Sequence, residues 1–167
     1  TPDEHLLVIV NDQKNQIDFW DLNDTQKYKK PISFPSQHFL TRLISGHNGK
    51  QIFVAFSIAA FDNITSNVVL PLNLETNCFE EAILKHDHPV DSLLLTRDGK
   101  CLISCDTAGT IKVLNLETKQ CSTFPSPEPL DLTRGSTALI LSPNEKRLAL
   151  NWKGMNTHIL NLETGEW

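Results

Sequence analysis

The chain has 167 residues, of which 40% are hydrophobic and 21% charged, and its formal net charge at pH 7 is −5. This composition is typical of a globular domain with a sizeable core and excludes an extended disordered chain. The negative charge disfavours nucleic acid as a partner, because only the stretch Lys27–Lys30 concentrates positive charge against a phosphate backbone.

Short runs of β-type residues follow one another along the chain, and no segment shows a helical period of useful length. The sequence therefore predicts an all-β fold. The predicted strands are Leu6–Val10, Ile17–Leu22, Tyr28–Phe34, His38–Ile44, Cys78–Leu84, Val90–Leu95, Cys101–Cys105, Thr110–Leu116, Gln120–Phe124, Thr137–Leu141, Arg147–Trp152 and Thr157–Leu162.

Apolar character separates inner strands from outer ones. Val90–Leu95 and Thr137–Leu141 are nearly continuous apolar runs, so we expect innermost strands that are buried on both faces. Tyr28–Phe34, Cys78–Leu84 and Gln120–Phe124 are more polar, which favours the outer edge of each sheet.

The phrase Leu-Asn-Leu-Glu-Thr occurs three times and shows that the chain is a repeat array. Its copies lie at Leu72–Thr76, Leu114–Thr118 and Leu160–Thr164, and Trp20-Asp21-Leu22-Asn23 is a fourth, altered copy. Successive copies begin 52, 42 and 46 residues apart, close to the roughly 40–45 residues of a propeller blade. We expect each copy to mark the end of a third strand and the turn after it.

A second recurring element consists of turn sequences that carry Asp or Asn together with Pro or Gly. They lie at Thr1–His5, Thr96–Lys100 and Ser142–Lys146, where such residues favour hairpin reversals. Gly46–Lys50 is expected to be the same turn in the second repeat, although Gly46-His47 also matches the opening of a new repeat. The second repeat has extra residues, which we place in a longer loop at Ile58–Ser66.

The order of turn, strand, turn and repeat phrase resembles the WD-repeat (WD40) β-propeller family. Repeats of that family run from a Gly-His dipeptide to a Trp-Asp dipeptide, and Trp20-Asp21 matches the closing pair. The segment from His86 to Asn115 is similar to a whole repeat. The resemblance covers essentially the full chain and implies a β-propeller made of four-stranded antiparallel blades.

Family repeats often carry a structural hydrogen-bonded tetrad of His, Ser, Asp and Trp. By the resemblance, His86 and Ser92 match the first two positions. Ala108 and Leu114 stand where the Asp and the Trp are expected, so the tetrad is predicted to be incomplete.

The strands and turns divide one propeller domain into four blades. The expected bounds are residues 1–34 for a partial first blade, 38–84 for the second, 88–124 for the third and 136–167 for a partial fourth. About three and a half blades leave apolar faces and sheet edges open, which favours part of a larger propeller or completion by a second chain. A closed four-bladed ring is the alternative.

In this family, the loops before the innermost strand and between the second and third strands lie on one face that receives partner peptides. The candidate partner-binding residues by that resemblance are His86, Asp87, His88, Asp106, Thr107, Trp152, Lys153 and Met155. Trp152 is either an exposed binding anchor or a ring packed between blades. His86 is expected to be a structural histidine and His88 an exposed loop residue.

Known catalytic signatures are missing from the sequence, including G-x-S-x-G, the phosphate loop and H-E-x-x-H. We therefore expect no enzyme, no cofactor and no metal site. Cys78, Cys101, Cys105 and Cys121 form no paired metal motif and are expected to be buried free thiols in a reducing compartment.

No apolar run reaches the roughly 18 residues of a membrane span, and Thr1–His5 lacks the pattern of a signal peptide. We expect an intracellular, cytoplasmic protein without a membrane partner. The favoured function is a protein-protein interaction or scaffolding module that docks a protein or peptide on its loop face. The alternative is a regulatory or ligand-sensing propeller domain of a larger multidomain enzyme or NTPase.

Overall fold

Antiparallel strands account for nearly all of the regular structure. The computed structural model describes residues 6–22, 27–60, 63–127, 137–152 and 157–167, of which residues 27–29, 59–60, 63–65, 137 and 152 are described by backbone alone. The described residues contain four antiparallel sheets and a single 3-10 turn, Asp12–Lys14. The predicted all-β class is thus confirmed, and the sheets have the consecutive strand order of propeller blades.

Each sheet takes its strands from one stretch of the chain, in sequence order. Sheet 1 contains β1 (Leu6–Asn11), β2 (Gln16–Asp21) and β3 (Lys27–Ser33). Sheet 2 contains β4 (His38–Ser45), β5 (Gln51–Ala60), β6 (Asn63–Asn73), β7 (Cys78–Phe79) and β8 (Leu84–His86), the last paired with β6. Sheet 3 contains β9 (Val90–Leu95), β10 (Cys101–Asp106), β11 (Ile111–Asn115) and β12 (Cys121–Phe124). Sheet 4 contains β13 (Thr137–Leu141), β14 (Arg147–Trp152) and β15 (Thr157–Asn161).

The chain divides into two compact units, Thr1–Lys85 and His86–Trp167, and each unit has its own core. In the first unit, apolar residues of sheets 1 and 2 pack together: Ile17, Phe19, Ile32, Phe34, Ile52, Val54, Phe56, Val68, Leu72 and Leu74. In the second unit, residues of sheets 3 and 4 do the same: Ile103, Cys105, Ile111, Leu139, Leu148, Leu150 and Leu160. Alternation along the strands directs these side chains to one face, so each unit is a pair of sheets packed face to face.

The repeat phrase forms the same turn in three sheets. The Asn115 side-chain oxygen accepts the backbone N–H groups of Glu117 and Thr118 at 3.0 and 2.9 Å. Asn73 and Asn161 make the same two bonds in their own copies. The expected end of the third strand and the turn after it are therefore confirmed for these three copies, whereas residues 23–26 of the altered copy lie outside the described part of the chain.

Gly46–Lys50 is a hairpin turn between β4 and β5, as expected. The Gly46 amide donates to the Gln51 carbonyl at 2.8 Å, and Gly49 has a positive φ of 65°. The alternative that Gly46-His47 opens a new repeat is consequently wrong, because these residues lie inside a sheet that starts at His38.

Two expectations about the second repeat are wrong. The extra residues at Ile58–Ser66 do not make a longer loop, since β5 and β6 lengthen and pair as far as Ala60 and Asn63. The single outer strand Cys78–Leu84 is instead split into β7 and β8. Amides of Glu80 and Ile83 still bond to β6, so the stretch between them follows that edge without regular pairing.

Burial differs from expectation at the inner strands and at the cysteines. β13 is covered on only one face, because Leu139 is buried whereas Ile140 is 64% exposed. Cys78 and Cys121 are exposed, because they lie on the outermost strands of their sheets, and only Cys105 is fully buried. All four cysteines are free. Burial, with nearby carboxylates, raises the pKa of the half-buried Cys101 thiol, which opposes thiolate formation.

Candidate functional site

The most polar buried cluster described in the second unit is centred on His86, at the end of β8. Its Nε2 lies 2.7 Å from the Ser104 hydroxyl and its Nδ1 lies 3.2 Å from the Asp106 carboxylate. One neutral tautomer satisfies both contacts, with Nδ1–H donating to Asp106 and the Ser104 hydroxyl donating to Nε2. We call these three residues the His86 network.

The Asp106 carboxylate also shapes the loop after β10. Its Oδ1 accepts the backbone N–H groups of Ala108 and Thr110 at 3.0 and 2.9 Å. The Thr107 amide donates to the Pro89 carbonyl at 2.9 Å, which ties this loop to the loop before β9. The His86 network therefore holds two neighbouring loops at one end of sheet 3.

Two contacts of His86 were not expected from the sequence. Ser92 lies on β9, where it pairs with Cys105 in the backbone ladder, and Ala108 serves as an amide donor to Asp106. The serine and the aspartate that contact the histidine are Ser104 and Asp106. The sequence carries a signal for this pair, since a Ser and an Asp two positions apart on one strand can reach the same neighbour.

A Ser-His-Asp arrangement at these distances resembles the order of contacts in a nucleophilic triad. Burial argues against that chemistry here. The side chains of His86 and Asp106 are 0% and 2% exposed, and Ser104 is 0% exposed. A substrate cannot approach the Ser104 hydroxyl in this conformation, so the cluster is a structural network.

The predicted partner-binding residues fall into three groups. His86 and Asp106 are buried, so their side chains stabilise the loops and are out of a partner's reach. Asp87 is exposed, and His88 and Thr107 are half-buried on the two loops that the network holds. Trp152 ends β14 with its side chain undescribed, and Lys153 and Met155 lie outside the described residues.

His88 is less open to solvent than expected, because its loop is tied down beside the one after β10. We call the surface formed by Asp87, His88 and Thr107 the loop surface. Within the described part of the chain, no group of three or more His, Cys, Asp or Glu side chains is placed to hold a metal ion. The described residues also include no helix with the length and apolar character that crossing a membrane would require.

These sheets define the class of the molecule: an all-β protein of blade-like antiparallel sheets, with a hydrogen-bonded network beneath two loops. No protein-family model matches the chain. A human protein, DDB1- and CUL4-associated factor 4-like protein 2, is 26% identical over 117 residues. The match covers 62% of this chain and 30% of that relative, so the chain spans less than a third of the relative's length.

Proposed function

We propose that the chain is a WD-repeat-type interaction module that binds a protein partner on the loop surface. The observation that carries the proposal is the hydrogen bond from Thr107 to Pro89 above the buried His86 network. Loops held by a rigid sheet lose little conformational entropy when a partner binds, which favours recognition.

The four sheets are proposed to be propeller blades with the bounds expected from the sequence. Supporting this assignment, each sheet takes consecutive strands, and the repeat phrase ends the third strand wherever its turn is described. Blade-like packing of sheet 1 on sheet 2, and of sheet 3 on sheet 4, supports it further.

The name of the human relative supports a particular setting for the module. That name describes association with DDB1 and CUL4, and we propose that this chain also acts as an adaptor in an assembly with DDB1. The role is non-enzymatic, and the inaccessibility of the Ser104 hydroxyl supports that part of the proposal.

Titration of the purified chain against human DDB1 by calorimetry tests this proposal. We expect saturable binding, and Asp87→Arg should weaken it by at least about tenfold, as charge reversal in the centre of an interface does. Glu117→Arg is the matched control, because Glu117 is an exposed acidic residue in the turn after β11. An equal loss of affinity for DDB1 in both variants, or no binding by the unmodified chain, would contradict the proposal.

Trp152, Lys153 and Met155 stay predicted contributors to partner binding. Trp152→Ala tests the first of these residues in the same titration, and a denaturant melt of the variant and of the unmodified chain measures their stability. Loss of binding at unchanged stability supports a binding anchor, whereas loss of stability at unchanged affinity supports a packed ring.

A further inference from the structure

Cross-strand pairing identifies equivalent positions in the four sheets. The register places one apolar residue of the second blade strand opposite the first residue of each repeat phrase: Leu7 with Trp20, Ile52 with Leu72, Leu102 with Leu114 and Leu148 with Leu160. We call the side of a sheet that carries this pair its first face. The neighbouring pairs point to the opposite side, the second face: Val8 with Phe19, Ile103 with Val113 and Ala149 with Ile159.

Both cores join a second face to a first face. In the first unit, Phe19 from the second face of sheet 1 packs with Ile52 and Leu72 from the first face of sheet 2. In the second unit, Ile103 of sheet 3 packs with Leu148 of sheet 4 in the same combination. The chain therefore repeats one kind of sheet packing twice.

Two faces of this kind carry exposed apolar side chains. On the first face of sheet 1, Leu7, Ile9 and Trp20 are 44%, 42% and 37% exposed. On the second face of sheet 4, Ile140 and Ile159 are 64% and 53% exposed. Contiguous exposed apolar residues on a sheet mark an interaction site. One of the two exposed surfaces is a first face and the other is a second face, so the two are of the kinds that pack together in the cores.

We propose that the chain self-associates head to tail, with the first face of sheet 1 in one copy seated on the second face of sheet 4 in another. A second copy supplies the same combination of faces that forms both cores. The pairing rests on apolar contact, because Asp18, the acidic residue on the first face of sheet 1, is buried and accepts a hydrogen bond from the Gln16 side chain. Such a contact is heterologous, so it uses a different surface on each copy.

Sedimentation equilibrium of the 167-residue chain tests the proposal directly. We expect concentration-dependent association, and Ile140→Lys should raise the dissociation constant by at least about tenfold. Phe39→Lys is the matched control, since Phe39 is 58% exposed and lies on β4. Circular dichroism establishes that each variant is folded, and Ile159→Lys replaces Ile140→Lys should the latter fail to fold.

A mixing experiment separates a head-to-tail contact from a symmetric one. Leu7→Lys blocks one face and Ile140→Lys the other, so each variant alone should be monomeric. Mixed together they should form a 1:1 complex, because each retains the face that the other has lost. If the unmodified chain is monomeric, the proposal is overturned. The two exposed faces would then be available to bind further sheets of a longer chain. Self-association of Ile140→Lys at the unmodified strength overturns the proposal as well.

Discussion

Residues with positive φ close the turns of the sheets. Gly49, Gly99 and Glu145 occupy the same place in successive hairpin turns, with φ of 65°, 72° and 57°. Glycine adopts this conformation without a steric penalty, whereas a side chain at this φ costs roughly 1 kcal/mol. At Glu145 a hydrogen bond offsets this conformational cost, because the Glu145 carboxylate accepts the backbone N–H of Arg97 in the turn between β9 and β10.

Gly49→Ala isolates the conformational cost of a turn. Beyond the two adjoining residues, no atom lies within 4 Å of the added Cβ, so only the positive φ opposes the substitution. We expect a loss of about 1 kcal/mol in the free energy of unfolding, measured by urea denaturation. Lys119→Gly, at a φ of 61°, is the reverse control and should be neutral or stabilising. A destabilised Lys119→Gly together with an unchanged Gly49→Ala would contradict this account.

His86→Ala should be among the most destabilising single substitutions in the second unit. The change leaves the Ser104 hydroxyl and the Asp106 carboxylate buried without their shared partner, at a cost of about 3–5 kcal/mol. Ser104→Ala removes one bond at the edge of the network and should cost only about 1–3 kcal/mol.

Denaturant melts of the single and double variants measure both effects. Because the residues act as one network, the double variant should lose less stability than the two single variants combined. Additive losses, or a His86→Ala variant as stable as the parent, would show that the contacts do not cooperate.

Strands and turns were largely predictable from the sequence, because local chemistry determines them. Short runs of β-type residues between turn sequences predicted β1, β10 and β14, and the Asn of each fully matching repeat phrase determined its turn through two local bonds. The long β5–β6 hairpin was not predictable, since the mixed apolar and polar residues 58–66 fit either a strand extension or a loop.

Asn115→Ala tests whether the repeat phrase is a local turn device. Loss of the two amide bonds to Asn115 should lower the free energy of unfolding by about 1–2 kcal/mol. Lys100→Met is the control, because the exposed pair of Lys100 and Glu117 contributes little. Thermal melting of both variants makes the comparison, and an equal shift in each would refute the assignment.

At the scale of the whole chain, the sequence indicated the repeat but not which side chains meet across it. His86 is expected to be structural, and the resemblance to the family tetrad indicates Ser92 as the accompanying serine, which lies on β9. The contact partners lie on β10, and only the pairing of strands brings them to the histidine. Burial of whole faces was likewise unpredictable, since it depends on what packs against each sheet.

The His86 network also bears on how copies of one motif keep their order. Ser104 stands where Ile9, Val54 and Leu150 stand in the other sheets, as the strand registers show. A chain built from near-identical units risks docking the wrong neighbours during folding. If sheet 3 exchanged places with the sheet of another repeat, the Ser104 hydroxyl and the Asp106 carboxylate would be buried in an apolar interface without hydrogen-bond partners. The correct order avoids that unfavourable free energy. The His86 network therefore favours one position for sheet 3 in the order of the repeats.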